Sequence, residues 1–275
     1  MSREGPTSPG WRTHLMFAGF DGVVEDGGDH WVVRSPRSPG YYWGNFLLYE
    51  RFPTDADFGP WMQRFDEAIV SHAPRTGHRA FGIAPAAPAF EAPQAFVQAG
   101  FEVYCHATLL LGRGQLAAAP PAPALAIRPL DLSCEAEAVV ELSAACNDDG
   151  YESEGYRAFR RHQMQRYAAM AQAGLGHWWG VLDGDRVVAG LGLFGRDGLG
   201  RFQHVETHPA WRRRGLCRAL VHAACTAGLA RWPQLVICAD PDDVAIGIYR
   251  AAGFRDHDRL WLLERRAPED RAGAA

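Results

Sequence analysis

The residues best suited to do chemistry lie between positions 202 and 220, in the stretch FQHVETHPAWRRRGLCRAL. Arg212, Arg213 and Arg214 are followed at once by Gly215, and then by apolar residues at helical spacing: Leu216, Ala219, Leu220, Ala223 and Ala224. The arginines therefore stand at a predicted helix N-terminus. Free backbone N–H groups and the positive end of the helix dipole favour an anion there. Gly215 has no Cβ to keep a ligand off the backbone. Guanidinium groups beside such amides suit a phosphate or pyrophosphate. Taken alone, the same run would serve equally as a solvated face.

The element that must present this loop is a strand over 202–208, marked by Val205 and Thr207 and stopped by Pro209, which cannot donate to a ladder. A helix over 211–230 follows, then a buried strand over 235–239. A second stretch, DDVAIGIYRAAGF at 242–254, starts another helix, with Asp242 at or beside its N-cap.

Together these two stretches resemble the GNAT (Gcn5-related) N-acetyltransferases. The acetyl-CoA loop of that family, (Gln/Arg)-x-x-Gly-x-(Gly/Ala), is matched by Arg212-Arg213-Arg214-Gly215-Leu216-Cys217. The strand end Val-x-Val-x-Pro is matched in part by Val205-Glu206-Thr207-His208-Pro209. The later signature Asn-x-x-Ala-(x)3-Tyr-(x)3-Gly-Phe is matched in spacing by Asp242, Ala245, Tyr249, Gly253 and Phe254. Cys217 stands where Gly or Ala is usual, and is small enough to be tolerated. Asp242 stands where Asn is usual, and its charge alters a local cap or a cofactor contact. The resemblance covers roughly residues 125–265.

The resemblance implies acetyl-CoA as co-substrate, with no metal. Its site would be built from Val205, Glu206 and Thr207 on the strand, Arg212, Arg213, Arg214, Gly215, Leu216, Cys217 and Arg218 around the helix start, and Asp242. Tyr249 would donate to the sulfur of the departing CoA. An amine acceptor is more than 99.9% protonated at pH 7, a cost of roughly 4–5 kcal/mol, so a base is needed. Glu206 and His204 share one face of an alternating strand and are the candidates, Glu206 the preferred one. Surface or hydrogen-bonded strand roles stay open for both. Asp148, Asp149, Tyr151 and Glu152 lie on the connection that borders the acceptor in this family. One of Trp178 and Trp179 would line the cleft and the other the core. The alternative function is a non-catalytic acyl-CoA-binding regulator or scaffold.

Composition sets the limits. The chain has 275 residues, 47% hydrophobic and 22% charged, enough for one large or two medium domains. A net charge of −4 argues against nucleic acid as a partner. No run of 18 apolar residues suggests a membrane span, and the N-terminus does not read as a signal peptide. Six cysteines form no CxxC pair and sit near no His at zinc spacing, which fits thiols in a reducing cytoplasm. The expected partner is a small-molecule amine; a homodimer stays open.

The first half reads as strand, helix, strand, helix, strand over 31–34 and 41–49, 58–70, 79–83, 95–99 and 101–111. Residues 1–10 are rich in Ser, Pro and Gly and read as loose. Phe96-Val97-Gln98-Ala99-Gly100-Phe101 echoes Tyr249-Arg250-Ala251-Ala252-Gly253-Phe254 at an offset of one domain. In the place of the arginine loop it has acidic TDADFG at 54–59, and Phe96 replaces the tyrosine. The expected fold class is therefore α/β (α+β): two tandem GNAT-like domains, each a mixed, mostly antiparallel sheet flanked by helices. The expected boundaries are 1–115 for a degenerate copy, 116–124 for a Pro/Ala linker and 125–275 for the catalytic copy. The end of the chain, from 265 on, reads as a polar tail.

Overall fold

The structure, a computed structural model, describes residues 5–73, 76–147 and 153–267. The chain forms two compact units: Met1–Thr108 with His257–Ala275, and Leu109–Asp256. The stretch 116–124 falls within the second unit, and the C-terminal segment falls within the first.

In chain order the first half gives α1 (Pro9–Asp21), β1 (Val23–Asp26), β2 (His30–Arg34), β3 (Phe46–Tyr49), α2 (Phe58–Phe65), β4 (Arg79–Ile83), α3 (Gln94–Gln98) and β5 (Glu102–Gly112). The second half gives β6 (Ala126–Pro129), α4 (Ala136–Ala145), α5 (Ser153–Gln172), β7 (Gly176–Asp183), β8 (Arg186–Arg196), β9 (Leu199–Thr207), α6 (Leu216–Arg231), β10 (Gln234–Ala239), α7 (Ala245–Ala252) and β11 (Arg255–Arg265).

In the first unit, β1, β2 and β3 run antiparallel, β3 and β4 run parallel, and β11 closes antiparallel onto β4 from Trp261↔Ile83 to Arg265↔Arg79. An aromatic core fills it: Tyr49 stacks on Trp61 at 3.6 Å, with Phe65, Phe81, Phe96 and Phe101 around them. Trp261 and Leu263 of β11 complete that core.

Three expectations change here. Helix α1 starts inside the segment 1–10 expected to be loose, taking in residues 9 and 10: Ser8 caps it by accepting from the Trp11 amide, and Pro9 supplies a preset φ at its first turn. The strand expected over 41–49 is a 3-10 turn at Tyr42–Gly44 followed by the shorter β3. Asn45 explains the break. Its side-chain nitrogen donates to the carbonyls of Ser38 and Tyr41, and its Oδ1 accepts from the Ser35 amide at 3.0 Å. These local bonds outcompete a ladder. The helix expected over 58–70 stops at Phe65 and ends as a π-helical turn, Asp66–Val70.

In the second unit β6, β7, β8 and β9 are antiparallel neighbours, and β10 lies parallel to β9. Helices cover both faces. Gly190 of β8 looks onto Leu142 of α4, whereas Leu193, three residues on, meets Gly228 of α6. Alternation along β8 puts those helices on opposite sides. The β7–β8 hairpin turns through Gly184 at φ 58°, which glycine adopts without strain. Both units thus have the mixed, mostly antiparallel architecture expected. Among the described residues, no helix is long and apolar enough to cross a membrane.

Two local expectations are corrected. The loop helix begins at Leu216, not at 211: Pro209–Trp211 is a separate 3-10 turn. Asp242 does not cap α7. Asp243 Oδ1 accepts from the Ala245 amide at 2.8 Å, while the Asp242 amide donates to Asp240 Oδ1. The residues expected to border the acceptor, Asp148, Asp149, Tyr151 and Glu152, and the tail beyond 267 lie outside the described residues.

Candidate cofactor and acceptor site

The site begins where β9 and β10 part. Their parallel pairing runs only from Leu199↔Gln234 to Arg201↔Val236, although β9 continues to Thr207 and β10 to Ala239. Phe202, the first β9 residue past the last pair, packs edge-on against Phe254, which in turn meets Tyr249. On its other edge β9 pairs with β8, but the register slips by one between Gly190↔Glu206 and Gly192↔Gln203. His204 and Val205 therefore face Leu191 together, as a β-bulge, with His204 at φ 46°. Such a bulge bends a strand and re-aims the side chains beyond it.

At the end of this strand the chain turns into α6. Arg213 has φ 64° and Gly215 φ 75°, with Arg214 between them at negative φ. Alternation of left- and right-handed residues points successive amides inward, the pattern of an anion-binding nest. Gly215 is the N-cap and no side chain caps the helix. The first intrahelical bond at this end runs from Ala219 N to Gly215 O. The amides of Leu216, Cys217 and Arg218 are the orphan donors of the first turn. A Cβ at position 215 would touch nothing within 4 Å, so the backbone angle, not space, calls for glycine there.

The arginines divide. Arg212 donates to Thr207 O at 3.2 Å. Arg214 donates to Ala210 O and lies over the Trp211 ring at 4.5 Å, so its guanidinium is folded back on its own loop. Arg213 and Arg218 are exposed and make no ion pair among the described residues. Of the run, Arg213 is the one best able to reach a ligand.

Tyr249, Cys217, Thr207 and Asp243 converge beside the loop. Burial pushes the Cys217 thiol up to about 11, against the hydrogen bond with the Thr207 side chain, which lowers it. Tyr249 is 4% exposed and its phenol is held well above the usual range, first by burial and then by Cys217 and Asp243. Both groups stay protonated at neutral pH. A buried Cys217 with this raised pKa is a poor nucleophile. Gly253 closes α7 at φ 109°, where a Cβ would meet Gln115 O at 2.1 Å, so both angle and space require glycine. Asp242 is exposed in the turn before α7.

Across the strand, Glu206 and His204 both face α4 and α5. Glu206 Oε2 accepts from Ser143 Oγ at 2.7 Å and lies 3.7 Å from Arg160 Nη2, which itself donates to Ser143 Oγ at 2.8 Å. Burial raises the Glu206 pKa, opposed by Arg160 and Ser143. Arg160 has a side chain only 1% exposed, and its buried Nε has no hydrogen-bond partner. His204 packs among Tyr167 and Trp178, and its pKa is held well below the usual value by burial and then by Arg160 and Arg201. Trp178 is fully buried and Trp179 only partly so, one ring in the core as expected. Ser143 and Arg160 are absent from the sequence-based site. Arg160 sits in an arginine-rich helix whose charges all read as surface.

No three His, Cys, Asp or Glu side chains among the described residues are grouped to hold a metal ion. Further along the α4 side lies a groove of ≈ 270 Å³, walled by Glu141, Leu142, Arg157, Arg186, Val187 and His208 among others.

A mostly antiparallel sheet covered by helices on both faces, opened between two parallel strands beside an uncapped helix N-terminus, gives the second unit a GNAT-type fold. Residues 136–254 match the family model described as Acetyltransferase (GNAT) family, so this segment of the chain is a GNAT domain. No protein of curated function matches the chain. Among solved structures, a conserved protein of unknown function from Staphylococcus epidermidis is 12% identical at a TM-score of 0.75, covering 90% of this chain and 95% of its own. A GCN5-related N-acetyltransferase from Kribbella flavida is 15% identical at 0.60, covering 95% and 96%. A tandem GNAT protein from the clavulanic acid biosynthesis pathway is 14% identical at 0.56, covering 89% and 83%. At these identities the likeness is one of fold.

Proposed function

We propose that this protein is an acetyl-CoA-dependent N-acetyltransferase that passes the acetyl group directly to a small-molecule amine. The observation that carries the reading is the uncapped, left-handed turn into α6 at the mouth of the β9–β10 gap. The amides of Leu216, Cys217 and Arg218, with Arg213, would hold the pyrophosphate. Charge-assisted hydrogen bonds of about 1.5–3 kcal/mol each would supply much of a micromolar affinity, about −8 kcal/mol. Val205 and Thr207 would flank the acyl arm, while Asp242 is left a peripheral contact.

Glu206 is the proposed base. Its raised pKa brings it nearer to neutrality, and every hydrogen bond and ion pair described for it falls on Oε2, which leaves Oε1 to take a proton. His204 is the weaker choice, because its ring is packed among aromatics and its basicity is suppressed. Tyr249 is the proposed acid. Free phenol and thiol pKa values of about 10 and 8.5 make proton transfer uphill in water, but burial raises the thiolate's proton affinity as it raises the phenol's. Six free cysteines support a cytoplasmic site of action.

One observation favours the alternative of a non-catalytic acyl-CoA-binding protein: the Glu206 carboxylate is already engaged by Ser143 and Arg160. A single series separates the readings. Calorimetric titration with acetyl-CoA should give micromolar binding, weakened about tenfold or more in Arg213→Glu. Free-thiol release with an amine library should then fall roughly 100-fold in Tyr249→Phe or Glu206→Gln while acetyl-CoA still binds. Binding without turnover on any amine favours the regulator. No binding at millimolar acetyl-CoA overturns both.

A further inference from the structure

The groove beside α4 has more hydrogen-bond donors than acceptors. Among the described residues that wall it, the one carboxylate, Glu141, is taken by Arg157, whose Nε lies 3.0 Å away. Arg186 has no carboxylate partner among the described residues; its Nη2 instead lies 2.6 Å from His208 Nε2. The Ala210 amide approaches the other nitrogen of the same ring, Nδ1, at 3.2 Å. Burial, Arg186 and Arg212 hold the His208 pKa down, so the ring is neutral at pH 7. A neutral imidazole has one acceptor nitrogen, yet this ring faces two N–H donors. The ring can therefore accept from only one of them, and the exposed Arg186 guanidinium keeps N–H groups free for a ligand.

Position gives this excess a meaning. His208 follows Glu206 by two residues on an extended chain, so both side chains leave the same side, about 7 Å apart. Leu142, an apolar wall of the groove, adjoins Ser143, which donates to Glu206. A molecule with its amine at Glu206 would extend its far end to Arg186 and His208.

We infer that Arg186 and His208 bind a carboxylate on the acceptor, so that the acceptor class is small amino acids with the carboxylate about 6–7 Å from the acetylated nitrogen. This rests on the acetyltransferase reading above. The Arg186 fork matches a carboxylate in geometry, and the anion supplies an acceptor for the donor that the ring cannot accept from.

The test is a panel of ω-amino carboxylates from glycine to 6-aminohexanoate, each beside its amide, assayed by free-thiol release, with acetyl-CoA affinity measured separately. At least one carboxylate of intermediate length should exceed its amide about tenfold or more in kcat/KM. Arg186→Gln should bring that ratio to about one, chiefly through the KM of the carboxylate, with acetyl-CoA Kd unchanged. Equal use of carboxylate and amide by a wild type that binds acetyl-CoA overturns the inference and leaves the transfer reading intact. Loss of acetyl-CoA affinity in Arg186→Gln also overturns it, by assigning Arg186 to the cofactor. If wild type binds no acetyl-CoA the transfer reading fails, and the groove is then read by titrating the same carboxylates directly. Equal affinity in wild type and Arg186→Gln would overturn the inference there too.

Discussion

At Glu206 two influences oppose each other. Burial disfavours the carboxylate, whereas the Ser143 hydroxyl and Arg160 stabilise it, and the net pKa is raised. A base must be deprotonated to act, so kcat/KM should fall as pH falls through this pKa, at a pH above the ordinary glutamate range near 4.3. Ser143→Ala removes a hydrogen bond to the charged form only. The sign is therefore upward: the acid limb should move to higher pH, by about one unit for about 1.4 kcal/mol. The pH–rate profiles of wild type and Ser143→Ala check this. An unmoved limb would take Glu206 out of the proton path and leave the Arg160–Ser143–Glu206 chain as packing.

At the scale of the element, the β9–α6 connection joins two departures from regularity: a bulge at His204 and a left-handed N-cap at Gly215. Gly215→Val places a branched residue at φ 75° and should cost about 1–3 kcal/mol, seen as a fall in Tm of roughly 2–10 °C and a loss of acetyl-CoA affinity. Gly215→Asn, which tolerates that angle, should keep most of both. Equal losses in the two variants would mean that a side chain, rather than the backbone angle, is what the position excludes. The loop and α7 were legible in the sequence because glycine, proline and a 3.6-residue period mark them locally. The bulge was not. The stretch 202–207 carries no glycine or proline, and a one-residue slip is decided by pairing with β8, which no local pattern records. For the same reason α1 escaped, since its apolar residues form no continuous stripe, and the break at Asn45 depended on three carbonyl and amide partners up to ten residues away. The role of Arg160 was hidden because a buried guanidinium and a solvated one are spelled alike.

For the molecule as a whole, β11 is the strand that the sequence order misplaces. It follows the second half, yet Trp261 and Leu263 are core residues of the first unit and pair with β4. Burial of these two side chains contributes about 1.5–3 kcal/mol each, a large share of a domain's net 5–15 kcal/mol. A chain ending at Asp256 should therefore lose the first unit's cooperative unfolding transition and expose β4 to protease, even though every element of Leu109–Asp256 is retained. Limited proteolysis with mass mapping checks it. Equal protection of residues 79–83 with and without β11 would show that the first unit stands without its last strand.

That same strand sets a schedule. On the ribosome, β4 emerges about 170 residues before β11, which at 5–20 residues per second is a wait of roughly 10–30 seconds. Throughout that interval the nascent first unit holds a hydrophobic strand with an open edge, the state most prone to stray pairing. The protein therefore cannot mature from front to back: its N-terminal unit is finished last, and conditions that slow late translation should tax that unit first.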